Sequence, residues 1–217
     1  MTVSVSPNDE LIETLASGLR PVRRLASPAV RAVLWLALVV VIAAGLALVA
    51  DLHALQRRLM AAPDLWLAVL GSTLTAVCAA LAAFELSVPD RKPAWALLAV
   101  PPLLLWIGAS GLGCLRGWLV ADTHPASLQE ARECLLFILG LSVPLGAALF
   151  FMLRRAFVLR PGLTAALGGL AVAAAAATLL NFFHPFDAAA TDLAVHIVAV
   201  ALVIGLSRIV ALRAFPR

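Results

Sequence analysis

The sequence predicts an all-α membrane protein, a polytopic bundle of six transmembrane helices with both termini in the cytoplasm. Three observations support this fold: an apolar composition, six apolar stretches of spanning length and a one-sided distribution of basic residues. Of the 217 residues, 63% are hydrophobic and 13% are charged, and the mean hydropathy is +1.03. Soluble domains average about 45–50% apolar and about 25% charged residues, so a soluble fold could not bury this much apolar surface.

Six continuous apolar stretches are long enough to cross a bilayer as helices. A helix rises about 1.5 Å per residue, so a hydrocarbon core of roughly 30 Å requires about 20 residues. Closed barrels are excluded because the stretches do not alternate between apolar and polar residues. The third stretch contains Pro101 and Pro102 and is expected to kink there, and the fourth contains Pro144. The predicted spans are residues 32–50, 65–86, 94–115, 134–153, 163–183 and 188–209.

The basic residues give the orientation, because Lys and Arg are enriched on the cytoplasmic side of membrane proteins. Twelve of the 16 basic residues fall on the side that holds both termini, and four fall on the other side. Residues 1–30 are therefore predicted to be a cytoplasmic segment and residues 31–217 a transmembrane domain. The basic residues form no dense block, so no nucleic-acid partner is expected. The twelve are Arg20, Arg23, Arg24, Arg31, Arg91, Lys92, Arg154, Arg155, Arg160, Arg208, Arg213 and Arg217; the four are Arg57, Arg58, Arg116 and Arg132.

The fifth span consists mostly of small residues. Between Leu163 and Leu180 it contains eight alanines together with Gly168 and Gly169. Small side chains let helix backbones approach closely in a membrane. The composition predicts that this helix lies at the centre of the bundle.

The cytoplasmic amino-terminal segment contains a short amphipathic helix. Leu11, Ile12, Leu15 and Leu19 fall on one face, acidic residues open the helix, and Pro21 ends it. The apolar face has no soluble core to join, so it binds either the membrane surface or a protein partner. The acidic start disfavours an anionic lipid surface and favours the protein partner. A frayed terminal tail is the remaining interpretation.

Two cysteines are predicted to flank the loop between the third and fourth spans, on the non-cytoplasmic side. Cys114 and Cys134 would close a loop of about 20 residues, which a disulfide stabilises by roughly 3 kcal/mol. The alternative is two unlinked thiols at helix ends. Cys78 falls in the middle of the second span, where it is expected to be a core residue.

Histidine and aspartate residues gather on the same side, near the sixth span. Asp192 and His196 are four residues apart and therefore share a helix face. Together with His184 and Asp187 they form a candidate metal or proton site. The alternative is a polar helix start that is satisfied by water. No cofactor is predicted.

Two segments of the chain resemble the NrsF family of six-span inner-membrane anti-sigma factors. They are LIETLASGLRPVRRLASPAVRAVLWL, residues 11–36, and ECLLFILGLSVPLGAALFFMLRRAFVLRPGLTAALGGLAVAAAAATLL, residues 133–180. The second segment resembles the fourth and fifth spans of that family. The matching residues there are Cys134, Ser142, Pro144, Leu145, Arg154 and Arg155.

The resemblance implies a regulator rather than an enzyme. The cytoplasmic face is expected to sequester an extracytoplasmic-function sigma factor and to release it on a periplasmic thiol, metal or oxidative signal. Binding is expected at Leu11, Ile12, Leu15, Leu19, Arg23 and Arg24, and sensing at Cys134, Cys114 and His184. The family's second outer cysteine is replaced here by His184, so Cys134 is left to pair with Cys114 or to share a metal with His184.

Two other classes of protein remain as alternatives. A small membrane redox protein is disfavoured because the chain has no Cys-x-x-Cys pair. A transporter is suggested by Pro101 and Pro102, but the inverted repeat of such folds is not visible. The sequence does not indicate the oligomeric state.

Overall fold

The computed structural model describes residues 7–19, 24–48, 53, 56, 63–119, 128–156, 158–183 and 190–214. Within these ranges the chain forms α-helices and one 3-10 helix, with no strand, which confirms the all-α class. The helices are α1 (Pro7–Ser17), α2 (Pro28–Ala47), α3 (Pro63–Leu86), the 3-10 helix (Pro93–Ala99), α4 (Val100–Leu119), α5 (Leu128–Leu153), α6 (Pro161–Phe183) and α7 (Ala190–Ala214).

Five helical stretches of the described chain are long and apolar enough to cross a membrane. They are Pro28–Ala47, Leu65–Leu86, Pro93–Leu112, Arg132–Leu153 and Pro161–Phe182. They correspond to the first five predicted spans. The predicted sixth span falls on α7, which is not among the five, so the count of six stays a prediction.

The alanine-rich helix α6 lies at the centre of the bundle, as its composition predicts. It packs along α3 and is flanked by α5 and α7, and most of its side chains are buried. A Cβ atom on Gly169 would lie 2.8 Å from the Cα of Ile204 on α7. A Cβ atom on Gly71 of α3 would lie 2.7 Å from the Cα of Trp106 on α4. Glycine is required at both positions because the helix backbones are nearly in contact.

The predicted kink in the third span takes the form of a change in helix type. The span begins as the 3-10 helix Pro93–Ala99 and continues as α4 from Val100. Pro101 and Pro102 lie in the first turn of α4. Proline has no N–H, but residues of the first turn have no intrahelical acceptor in any case. The two prolines therefore begin an α-helix at this point without losing a hydrogen bond.

The amino-terminal helix α1 does not pack on the bundle. Every side chain described between Asn8 and Leu19 is exposed. Thr14 and Ser17 donate hydrogen bonds to the carbonyl oxygens of Glu10 and Thr14 on their own helix. The predicted short helix is therefore present, and its apolar face is uncovered.

Candidate functional site

A buried arginine joins three helices at one end of the bundle. Arg31, in the first turn of α2, is 5% exposed. Its Nη1 donates to Ser87 Oγ at 3.0 Å, and its Nη2 donates to the carbonyl oxygen of Met152. The guanidinium carbon lies 4.8 Å from the centre of the Phe84 ring, a cation–π distance. The start of α2, the end of α3 and the end of α5 therefore meet at this residue.

The end of α3 carries the hydroxyl that contacts Arg31 and, separately, a buried ion pair. Ser87 also donates from Oγ to the carbonyl oxygen of Phe84 at 2.6 Å, which holds its hydroxyl in place. Glu85 is buried, and its Oε2 lies 2.9 Å from Arg91 Nε. The N–H of Arg91 does not align with that oxygen as a hydrogen bond, so charge attraction holds the pair. Buried charges at a membrane boundary are costly unless they are paired.

A second contact fixes α2 one turn further along. Trp35 is fully buried, and its Nε1 donates to the carbonyl oxygen of Leu145 on α5 at 3.0 Å. The start of α2 is capped by Ser27, whose side chain accepts from the backbone N–H of Val30. Arg31 and Trp35 thus attach the first residues of the bundle, which follow the amino-terminal segment, to α3 and α5.

The residues predicted to bind a sigma factor lie on α1 and just after it. Leu11, Ile12 and Leu15 share one face of α1, and Leu19 follows its end; they are 57%, 63%, 64% and 78% exposed. Arg24 is exposed, and Arg23 lies outside the described residues. The structure brings the apolar members together as one uncovered face.

Cys134 does not occupy the position that the sequence predicts. Helix α5 begins at Leu128, so Cys134 lies in its second turn instead of opening the helix. The polar residues before it continue the helix, with Gln129 donating to Glu133 at 3.2 Å. In this conformation the thiol is also closed to an outside reagent. Cys134 is 4% exposed and packs with Ile138, Ala176, Leu180 and Ala199.

The other predicted sensing and metal residues fall outside the part of the chain whose side chains are described. His184 and Asp187 lie outside the described residues. Cys114 lies on α4, and Asp192 and His196 lie on α7, where the structure describes the backbone alone. A Cys114–Cys134 disulfide and a metal site therefore stay predictions. Cys78 is half-buried on α3, against the core, as expected.

Sequence reasoning missed the cluster of Arg31, Phe84, Ser87 and Met152, which is called the Arg31 cluster below. The basic-residue count treated Arg31 as a loop residue, although it precedes the predicted first span by only one position. Glu85, an acid within a predicted span, indicates a nearby cation, but that cation is Arg91 and not Arg31. The sequence does not tell which helices are neighbours, so it could not assign Ser87 or Met152 to Arg31.

The family comparison decides what kind of protein carries this arrangement. A model of the NrsF family, described as negative regulator of sigma F, matches residues 15–215. The chain belongs to the NrsF family. The match extends from the end of α1 to the end of the bundle and confirms the resemblance seen in the sequence. The search of curated proteins and the search of solved structures give no match. The NrsF family implies a negative regulator of a sigma factor, and five helical stretches among the described residues of this member are able to span a membrane.

Proposed function

We propose that this NrsF-family protein is an inner-membrane anti-sigma factor that holds an extracytoplasmic-function sigma factor on α1. The observation that supports it is the uncovered apolar face of Leu11, Ile12 and Leu15 on a helix that does not pack on the bundle. Burying one such side chain in a complex contributes about 1.5–3 kcal/mol. Three or four of them are enough for a specific complex, and the basic residues Arg23 and Arg24 follow directly in sequence.

The Arg31 cluster fixes the point at which the amino-terminal segment joins the bundle. Residues 18–27 connect α1 to α2, and α2 is held by Arg31 and Trp35. A sigma factor on α1 is therefore kept at the basic end, which the distribution of Lys and Arg assigns to the cytoplasm.

Helix α5 is the proposed route by which a periplasmic signal reaches this end. It carries Cys134 near one end, and at the other its Leu145 and Met152 carbonyl oxygens accept hydrogen bonds from Trp35 and Arg31. Cys134 and Met152 are separated by about 27 Å along a helix. A signal that favours a shifted position of α5 would alter both contacts to α2. Release requires that the shifted state binds the sigma factor less tightly, because a signal acts only through such a difference.

The α1 face is tested by placing a charge on it. Leu15→Asp should abolish retention of the sigma factor, because the carboxylate would be buried unpaired in the complex at a cost of roughly a few kcal/mol. Thr14→Asp is the matched control, since it adds the same charge at the neighbouring exposed position outside the apolar face. The measurement is co-purification of sigma factors with the tagged chain, together with a sigma-dependent reporter. Equal retention by the Leu15→Asp chain and the parent chain would exclude α1 as the binding element.

A further inference from the structure

An apolar groove of about 600 Å³ runs along the outside of the bundle between α5, α6 and α7. Its wall includes Val143 and Phe151 of α5, Val172 of α6, and Leu206 and Val210 of α7. Val143 and Phe151 are 71% and 56% exposed, so the groove opens on the face that meets the surrounding lipid. One end of the groove, called its mouth below, lies at Val158 and Pro161. These residues are in and just after the turn that joins α5 to α6.

Two buried hydroxyl groups on the groove wall have no hydrogen-bond partner among the described residues. Ser142 and Thr164 are 8% and 2% exposed, and both line the groove. Ser72, Thr75 and Thr178 each donate to a carbonyl oxygen of their own helix, so an unused hydroxyl is an exception in this bundle. Both hydroxyl oxygens are themselves enclosed by protein atoms, so at these two residues the groove presents an apolar surface.

Three arginines are sequence neighbours of the groove residues Leu153 and Pro161. Arg154, Arg155 and Arg160 lie in the turn between α5 and α6, and all three are exposed. The guanidinium carbon of Arg154 lies 5.6 Å from the ring centre of Phe151, which belongs to the groove wall. None of the three arginines forms an ion pair with a described residue. The ion pair found among the described residues joins Arg91 to Glu85. The positive charge is therefore available to an anion at the mouth.

We propose that the groove binds one anionic phospholipid from the adjacent leaflet, with its headgroup at Arg154, Arg155 and Arg160 and an acyl chain between α5 and α7. Basic pockets between transmembrane helices suit anionic headgroups, and the groove supplies the apolar surface for the chain. A free phosphate has no apolar part to fill the groove. A helix from a second copy would fill the groove but would not neutralise three arginines.

The test is photocrosslinking of the full-length chain in bilayers with photoactivatable phosphatidylglycerol, compared with photoactivatable phosphatidylcholine. Phosphatidylglycerol should crosslink to peptides of α5 and α6 that line the groove, and phosphatidylcholine should not. Arg154→Gln/Arg155→Gln/Arg160→Gln should lower the apparent affinity by roughly tenfold or more. Lys92→Gln/Arg132→Gln removes two exposed charges elsewhere and should leave the affinity unchanged.

A variant that fills the groove distinguishes lipid binding in the groove from a general attraction of anionic lipid to the basic end of the bundle. Ala147 lines the groove and is exposed, so Ala147→Phe fits without disturbing the core. It should abolish groove crosslinks while the thermal unfolding midpoint stays near that of the parent. Equal crosslinking by both lipids, unchanged crosslinking in the triple arginine variant, or chain-to-chain crosslinks from the groove would overturn the proposal. None of these readouts involves a sigma factor, so the result is independent of the proposed function.

Discussion

Arg31 shows how one side chain fixes the relative position of three helices. Its guanidinium has several N–H donors in a planar arrangement, so it satisfies Ser87 and the Met152 carbonyl oxygen at once while its face lies on Phe84. Composition and hydropathy locate the first span correctly, but they treat Arg31 only as one of the basic residues on the cytoplasmic side. Its partners are 56 and 121 positions away in sequence, and no local pattern connects them.

We predict that Arg31→Met destabilises the bundle by roughly 2–3 kcal/mol, because hydrogen bonds to a charged donor are lost and two buried acceptors remain. Arg31→Lys should rescue little of this loss, since an ammonium group cannot reproduce the planar geometry. Arg24→Met, an exposed position, is the control. Thermal unfolding in detergent measures the difference. Equal midpoints for the Arg31→Met and Arg24→Met chains would show that the cluster does not hold the helices together.

A second residue-scale prediction concerns Cys134. Its burial among Ile138, Ala176 and Leu180 predicts slow alkylation in resting cells and faster alkylation after a signal that moves α5. We expect Cys134→Ser to remove most of the induction of a sigma-dependent reporter by thiol-reactive stress. Cys134→Ala checks that the loss of induction does not come from burying the serine hydroxyl. The Cys78→Ser strain should show normal induction. Full induction in the Cys134→Ser strain by every oxidant and heavy metal tested would remove this cysteine from the sensing mechanism.

At the scale of elements, composition predicted that α6 lies at the centre of the bundle, because small residues let neighbouring helices approach through their size alone. Helix boundaries were less predictable. Hydropathy marks where a stretch becomes apolar, whereas a helix begins where its backbone hydrogen bonds begin. Helix α5 therefore starts at Leu128, six residues before the apolar stretch at Cys134, and this shift overturned the expected setting of that thiol.

The close contact between α3 and α4 gives an element-scale prediction. Gly71→Ala would place a Cβ atom 2.7 Å from the backbone nitrogen and Cα of Trp106, and neither can move without shifting the helix. We expect a loss of stability of about 1–3 kcal/mol, as for other overpacked sites. Gly108→Ala on α4 meets nothing within 4 Å and should be neutral or slightly stabilising, since alanine favours helix. Matching unfolding midpoints for the two variants would contradict the close approach.

For the whole molecule, the sequence predicted the class of fold and the first five spans, because both depend on apolar length. The sixth span depends on α7, which carries Asp192 near its start and Arg208 and Arg213 near its end. The number of spans decides whether the two termini share one side of the membrane. The contacts of Arg31 constrain this arrangement, because they bring the start of α2 to the ends of α3 and α5.

The topology itself is the last prediction. Since α2 starts where α3 and α5 end, α2 runs antiparallel to both, and the basic residues Arg91, Lys92, Arg154 and Arg155 fall at one end of the bundle. The excess of Lys and Arg assigns that end to the cytoplasm. Reporter fusions after Arg20, Lys92, Arg160 and Arg217 should therefore read cytoplasmic, and fusions near Asp64, His124 and Asp187 should read periplasmic. The fusion after Arg217 is decisive for α7: a periplasmic result would mean five spans, with the termini on opposite sides. A periplasmic result after Lys92 would instead invert the bundle, and α1 would then face away from any sigma factor.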